Sequence, residues 1–322
     1  RVMAIGGGGY VFPRYVEKIW PGSLIEVVEI DPGVTEAAMA AFGLPRDTTI
    51  KTVTMDARNY VDQLLHSDNG GKRYDFIYGD AFNDYSTPFQ LVTKEFHDKL
   101  RTLLGDDGAY IATVIDIFDS SRFLSVFVNT LRRSFAHVYV LAEAGMPLWG
   151  RNTFVVVASG HPVNMTAVAA KYGARAGLWF LDPSQTDALV EKAGGLVLTD
   201  DYAPVENLLA GVVRESGRGF LAGECIKRAL TLQQAGKIKE CIANYEKAAQ
   251  VKPELTTNIY HSIGLICLGR EDYEQAAEAF SRAIEYNQQT TAQRNIASAH
   301  FNLALALQKL GRKWQKQVVP LD

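Results

Sequence analysis

Short apolar runs alternate with amphipathic segments from the start of the chain to about residue 160. The runs predict seven strands: Val2–Ile5, Leu24–Ile30, Ile50–Thr54, Tyr74–Tyr78, Ala109–Ile115, Val138–Leu141 and Phe154–Ala158. The segments between them predict helices over Val11–Trp20, Gly33–Ala41, Ala57–His66, Leu91–Leu104 and Ser120–Arg133. This alternation predicts a doubly wound, Rossmann-like α/β sheet of seven strands, with the last two as an antiparallel pair at the edge.

The pattern becomes purely helical after residue 223. Small, aromatic and alanine positions recur after 35 residues, at Cys241, Tyr245 and Ala248 and again at Ala276, Phe280 and Ala283. A period near 34 residues resembles the tetratricopeptide repeat. We therefore predict a sheet domain at residues 1–210, with 163–210 covering the sheet, a glycine-bearing linker at 211–223, and an all-α repeat domain at 224–318 whose third unit is incomplete.

Composition narrows the classes of function. The chain has 322 residues, of which 47% are hydrophobic and 21% charged, and a net charge of −3, which is typical of a globular protein and disfavours a nucleic-acid partner. No apolar stretch approaches the roughly 20 residues of a membrane span, so we predict a cytoplasmic chain without one. The three cysteines show no C-x-x-C spacing and the six histidines no metal-ligand spacing, so neither a disulfide nor a metal site is predicted.

Four consecutive glycines follow the first predicted strand: Gly6, Gly7, Gly8 and Gly9. A glycine-rich turn between a strand and a helix usually holds a nucleotide. The dinucleotide fingerprint G-x-G-x-x-G requires a third glycine where this chain has Val11, which disfavours NAD. Gly7 and Gly9 instead predict a flatter, wider turn that lets the backbone approach an uncharged ligand.

Carboxylates follow the next three predicted strands. Glu29 and Asp31 end the second strand, Asp56 follows the third and Asp80 the fourth. Ligands of open α/β sheets bind at the carboxyl ends of strands, so we expect these side chains around one crevice. The alternatives are that Asp56 caps its helix and that Asp80 shapes a turn. An acidic rim without basic residues favours adenosine with a cationic tail over phosphate.

The segments "IGGGGY", "VEIDP", "MDARNYV" and "YDFIYGDAFND" resemble successive motifs of the spermidine synthase group, within the class I S-adenosylmethionine-dependent methyltransferase fold. The resemblance covers about residues 1–210. "RNTFVVVAS" and "LTDDYAPVENLL" resemble bacterial fused proteins in which a membrane-embedded half precedes such a domain. This resemblance implies that the chain is the soluble part of a longer, membrane-anchored protein.

The same resemblance implies roles for individual residues. The glycine run would cradle the nucleoside and its tail, and Glu29, beside Asp31, would hold the ribose. Asp56 and the backbone of Ala57 would recognise adenine. The implied co-substrate is decarboxylated S-adenosylmethionine or S-adenosylmethionine itself, and no metal is implied.

Asp80 is the implied catalytic carboxylate, with Asn83 and Asp84 binding the acceptor. Spermidine synthases carry Asp directly after three glycines and a second loop Asp; this chain has Gly9 and Asn83 there. Three functions stay open: aminopropyl transfer to a diamine or another amine, methyl transfer from S-adenosylmethionine, and a non-catalytic scaffold whose repeats bind a protein partner.

Overall fold

The computed structural model describes residues 1–67, 73–81, 87–145, 150–173, 177–289 and 296–311. The chain divides into two compact units, of which the first ends at Glu215 and the second begins at Ser216. None of the described helices combines the length and the hydrophobicity needed to cross a bilayer. The predicted boundaries of the sheet domain, the linker and the repeat domain stay predictions.

The first unit contains one sheet. Its strands are β1 Val2–Ile5, β2 Ile25–Glu29, β3 Lys51–Thr54, β4 Tyr74–Gly79, β5 Leu104–Ile117, β6 His137–Glu143, β7 Arg151–Ser159 and β8 Leu178–Phe180. They lie in the order β3-β2-β1-β4-β5-β7-β6-β8. Strands β1 to β5 pair in parallel, and β7 runs antiparallel between β5 and β6.

The predicted fold class is confirmed, but the sheet has eight strands among the described residues rather than seven. The additional strand, β8, pairs antiparallel with β6 and lies within the stretch predicted to cover the sheet. Three residues are too few for alternating burial to reveal a strand in the sequence. The predicted antiparallel pair of β6 and β7 is present, but β8 rather than this pair forms the edge.

The helices of the first unit cover both faces of the sheet. They are α1 Val11–Ile19, α2 Pro32–Ala41, α3 Ala57–His66, α4 Lys94–Leu103, α5 Arg122–Leu131, α6 Met165–Val168 and α7 Pro183–Lys192. Alternate residues of β1 enter different cores: Met3 and Ile5 pack with α3, α4 and α5, whereas Val2 and Ala4 pack with α1 and α2. Such two-sided burial is typical of parallel sheets.

The sheet positions a site through its strand order. Strand β1 lies between β2 and β4, so the chain reverses its direction of winding there. A crevice at the carboxyl ends of such strands is the usual ligand site of open α/β sheets. The segments that follow β1, β2, β3 and β4 therefore meet at the edge where the glycine run and the carboxylates stand.

The remaining helices are α8 Val205–Gln234, α9 Ile238–Val251, α10 Thr256–Gly269, α11 Tyr273–Gln289 and α12 Ala297–Lys309. The six repeat positions named above are all buried. Gly264 on α10 faces Phe280 on α11 so closely that a Cβ would lie 2.6 Å from the ring. The small residue of one helix thus accommodates the aromatic residue of the next. The cysteines are free thiols, with Cys241 and Cys267 buried.

Residues 211–223, which were predicted to be a linker, lie inside α8. Glycine in a helix interior costs about 1 kcal/mol relative to alanine, so a helix here needs stabilisation from packing. Packing outweighs that cost at both ends of α8. Leu209 and Val212 are buried in the core of the first unit, and Ala222 and Ala229 in the core of the second.

Candidate functional site

The glycine run forms a turn with two residues in the left-handed region. Gly6 has φ +94°, and a Cβ there would lie 2.6 Å from the carbonyl oxygen of Asp80. Gly8 has φ +48° with open space around it. Gly6 is therefore required both by its backbone conformation and by the approach of the chain that follows β4.

Glu29 joins the glycine turn to the end of β2. Its buried side chain accepts hydrogen bonds from the backbone N–H of Gly7 (2.7 Å, at Oε2) and of Asp31 (2.9 Å, at Oε1). Burial of a carboxylate is costly unless such donors compensate for the lost water. Glu29 therefore stabilises the turn as well as lying at the predicted ribose position.

Asp31 and Asp56 both cap helices. Asp31 Oδ1 accepts from the backbone N–H of Gly33 (2.8 Å), and Asp56 Oδ1 accepts from that of Asn59 (3.0 Å). The capping alternative for Asp56 is thus present in the structure, and its predicted adenine contact stays a prediction. Ala57, the first residue of α3, is buried beside it.

Asp80 has different partners. The hydroxyl of Tyr78 donates to Oδ2 of Asp80 over 3.3 Å and lies 3.0 Å from Oγ1 of Thr113. Loss of water around the carboxylate raises the pKa of Asp80 above its usual range, although hydrogen bonds from Tyr78 and Thr113 lower it. Such an environment favours proton uptake more than an ordinary surface aspartate does.

A cavity of about 360 Å³ connects the glycine turn with Asp80. Its lining consists of Gly6, Gly7, Gly8, Gly9, Val11, Phe12, Pro13, Tyr15, Tyr78 and Asp80. Glu29, Asp31, Asp56 and Ala57 lie outside this lining. The structure therefore brings Asp80 together with the glycine run, while the other predicted side chains surround the neighbouring strand ends. Asn83 and Asp84 lie outside the described residues.

Arg58 is a residue of this edge that the sequence reasoning missed. Its guanidinium donates to the carbonyl oxygen of Gln90 (2.8 Å) and forms an ion pair with Asp200. Although partial burial favours protonation of Asp200, hydrogen bonds from Arg58 and Thr93 hold the pKa of Asp200 below its usual range. Arg58 therefore connects the start of α3 with the segments around residues 90 and 200. No local pattern reveals a contact between residues so far apart in sequence.

Asp116 near the end of β5 was also missed. It is buried, and its carboxylate accepts the backbone N–H groups of Ile117 (2.7 Å), Phe123 (2.9 Å) and Leu124 (2.8 Å). Burial raises the pKa of Asp116 above its usual range, although the hydrogen bonds from these backbone groups lower it. Its partners indicate a structural role at the start of α5. Within the described ranges, no three His, Cys, Asp or Glu side chains cluster as metal ligands.

A sheet of this order, with a glycine turn after β1 and a carboxylate after β4, defines a class I methyltransferase-like fold. The chain is 32% identical over 139 residues to a polyamine aminopropyltransferase of Vibrio vulnificus, covering 43% of this chain and 44% of that protein. It is 34% identical over 134 residues to an N-terminal histidine N-methyltransferase of Emericella nidulans, covering 39% and 23% respectively. The matches span less than half the length of either curated relative, and both relatives are transferases.

A solved structure has the same fold. The crystal structure of a probable spermidine synthase from Corynebacterium glutamicum superposes with a TM-score of 0.53 at 22% identity, covering 64% of this chain and 74% of that one. The tetratricopeptide repeat family model matches residues 225–255 and 257–290. The chain therefore contains a spermidine-synthase-like domain followed by C-terminal tetratricopeptide repeats.

Proposed function

We propose that the sheet domain is an aminopropyltransferase that moves the aminopropyl group of decarboxylated S-adenosylmethionine to a diamine. The observation that carries this proposal is that Asp80 and the glycine turn line one cavity. In this proposal the glycine turn binds the nucleoside, and the carboxylate of Asp80 beside it accepts a proton. The similarity to the Vibrio vulnificus aminopropyltransferase supports this proposal.

The co-substrate would lie along the edge of β1, β2 and β3. Each Glu29 oxygen accepts one of its two backbone hydrogen bonds, which leaves lone pairs for the ribose hydroxyls. The adenine would lie near Asp56 and Ala57. The sulfonium would then face the cavity beside Asp80.

The reaction needs a nucleophile and a base. The lone pair of the acceptor amine attacks the carbon bonded to the sulfonium, a C–N bond forms and the C–S bond breaks. Its electron pair stays on sulfur as the neutral thioether of methylthioadenosine. The carboxylate of Asp80 takes the proton that the amine releases. Because the thioether is a good leaving group, orientation and proton removal are what the protein contributes.

Methyl transfer from S-adenosylmethionine is the second candidate, and Gly9 is the observation that favours it. The family position of the carboxylate that binds the aminopropyl amine is Gly9 here. Glycine is not required there by strain: its φ lies outside the left-handed region, and a Cβ would be 3.4 Å from the Phe42 ring, an ordinary contact. Similarity to a methyltransferase supports this alternative.

The repeats support a second role, the binding of a protein partner, in addition to catalysis by the sheet domain. Leu230 and Leu265 occupy positions 35 residues apart on α8 and α10, and both are exposed. Apolar side chains at equivalent positions of consecutive repeats provide a surface for a protein partner. The repeats would act in this way with or without an active sheet domain.

One experiment separates the two transfer reactions. Wild-type protein and Gly9→Asp are titrated calorimetrically with both sulfonium compounds, and the products formed with putrescine are analysed. We expect methylthioadenosine from the decarboxylated compound. Gly9→Asp should shift the affinity ratio about tenfold toward that compound, which corresponds to about 1.4 kcal/mol for one charge-assisted contact. If S-adenosylhomocysteine is the only product, the sheet domain is a methyltransferase and the proposed aminopropyl transfer is wrong.

A further inference from the structure

Tyr78 connects Asp80 to the neighbouring strand. It lies two residues before Asp80, and side chains two residues apart in an extended chain lie on the same side. The register pairs Tyr78 with Ile111 and Gly79 with Ala112, so continuing it by one residue brings Asp80 opposite Thr113. The Tyr78 hydroxyl lies 3.3 Å from Asp80 Oδ2 and 3.0 Å from Thr113 Oγ1.

The ring of Tyr78 also has a packing partner. It stacks on Phe12 of α1, with ring centroids 4.0 Å apart and an angle of 29° between the planes. Both rings line the cavity that contains Asp80. Stacked aromatic pairs contribute beyond the area that they bury, so the hydroxyl is presented from a fixed ring.

We propose that Tyr78 is a positioning residue for the transfer reaction: it holds Oδ2 of Asp80 and leaves Oδ1 for the acceptor amine. The inference rests on the proposed function, because it assigns Asp80 the role of base. Tyr78 itself exchanges no proton with the substrate in this scheme. It belongs to neither the glycine run nor the carboxylates that the sequence motifs single out.

The donor and acceptor capacity of the Tyr78 hydroxyl is consistent with a positioning role. A phenol has one proton to donate, so a bond from Tyr78 to Asp80 leaves the Tyr78 oxygen to accept from Thr113. Burial raises the pKa of Tyr78 and the adjacent Asp80 carboxylate raises it further, against the hydrogen bond with Thr113, so the phenol stays protonated at neutral pH. The chain of donors then runs from Thr113 through Tyr78 to the carboxylate.

The groups that face Asp80 decide the sign of the expected pH effect. Partial loss of water around the carboxylate raises its pKa, and hydrogen bonds from Tyr78 on β4 and Thr113 on β5 lower it. Among the other described residues that line the cavity, Tyr15 on α1 is the titratable one. Removing the Tyr78 hydroxyl therefore raises the pKa of Asp80, so the base becomes protonated at a higher pH.

The decisive variant is Tyr78→Phe, which keeps the stacked ring and removes the hydroxyl. We expect turnover to fall about tenfold, less than the roughly 100-fold that a 1 Å misplacement can cost, because Asp80 itself remains. The acid limb of kcat/KM should move to higher pH, while methylthioadenosine affinity stays unchanged. Thr113→Val should move the limb in the same direction by a smaller amount. Tyr139→Phe is the matched control, because its hydroxyl accepts the N–H of Val163 (3.0 Å) away from the cavity.

A second readout does not depend on activity. Carboxyl-¹³C NMR of aspartate-labelled protein follows the titration of Asp80, identified by its loss in Asp80→Asn. A higher Asp80 titration midpoint in Tyr78→Phe supports the positioning role. An unchanged midpoint and an unchanged acid limb overturn it, even if Asp80→Asn is inactive and the proposed function stands. If wild-type protein transfers nothing, the proposed function fails, and the midpoint alone decides whether Tyr78 holds Asp80.

Discussion

The carboxylates that follow β2 and β3 have different hydrogen-bond partners from the carboxylate that follows β4. After β2 and β3, Glu29, Asp31 and Asp56 each accept backbone N–H groups. After β4, Asp80 accepts from the side-chain hydroxyl of Tyr78 and lines a cavity with the glycine turn. A carboxylate that follows a strand can thus cap a helix or line a cavity, and its hydrogen-bond partners distinguish these two cases.

The difference has a physical origin. Caps are local: Asp31 bonds to a residue two positions on and Asp56 to one three positions on, so turn geometry alone satisfies them. Asp80 depends on its register against Thr113 of β5, and its side chain lines the cavity, where partial loss of water raises its pKa. The comparison predicts that substitutions on the β4 side affect chemistry most and that substitutions on the β2–β3 side affect binding and stability.

The largest effect is expected from Asp80→Asn. The amide keeps the shape of the side chain but cannot accept the proton of the amine, so turnover should fall about 100-fold or more. Affinity for methylthioadenosine, measured by calorimetry, should not change. Asp107→Asn, at an exposed aspartate of β5, is the control for removing one negative charge. Near-normal turnover of Asp80→Asn on the true acceptor would exclude Asp80 as the base.

The glycine turn gives the next largest effect. In Gly6→Ala, a Cβ would meet the Asp80 carbonyl at 2.6 Å with φ at +94°, so we expect a loss of about 3 kcal/mol in the free energy of unfolding. Gly8→Ala shares the positive φ but meets no neighbour, and should cost about 1 kcal/mol. Urea unfolding measures both. Equal losses would mean that the turn does not press against the segment after β4.

Glu29→Gln should have an intermediate effect. The amide loses the charge that both N–H donors face, and one end of it presents hydrogens where an acceptor stood. Methylthioadenosine affinity should weaken by about 1–3 kcal/mol, the scale of hydrogen bonds to a charged group. Asp182→Asn, at the exposed aspartate that caps α7, serves as the matched control, because asparagine caps helices as well as aspartate does. A Glu29→Gln protein that binds the nucleoside as tightly as wild type removes Glu29 from the ribose site.

The sequence predicted the features that are locally encoded. The repeat helices follow from a pattern that recurs within 35 residues, and the alternation of strands and helices predicted the fold class. The position of β7 between β5 and β6 could not be predicted in this way, because strand pairing is a non-local contact. The helical structure of residues 211–223 was missed because burial in two cores outweighs the glycines.

The same limit applies to the site. Asp80 and the glycine run were predicted because each directly follows a strand with a recognisable apolar pattern. Tyr78 was not, since its partner Thr113 lies 35 residues further along the chain and only the register of β4 against β5 brings them together. The ion pair of Arg58 with Asp200 spans 142 residues and depends on the folded unit in the same way.

The smallest effect concerns Asp56, where cap and ligand recognition coincide at one side chain. Asp56→Ala removes the cap of α3 and should lower the free energy of unfolding by about 1 kcal/mol, whereas Asp56→Asn keeps the cap and should leave it unchanged. If the carboxylate also accepts from the adenine amino group, both variants should weaken methylthioadenosine binding by about 1 kcal/mol. Methylthioinosine, which has a carbonyl oxygen in place of that amino group, supplies the control ligand: wild type should discriminate against it and both variants should not. An Asp56→Asn protein that binds and discriminates as wild type does would leave Asp56 as a cap alone, and adenine recognition would then fall to the backbone of Ala57.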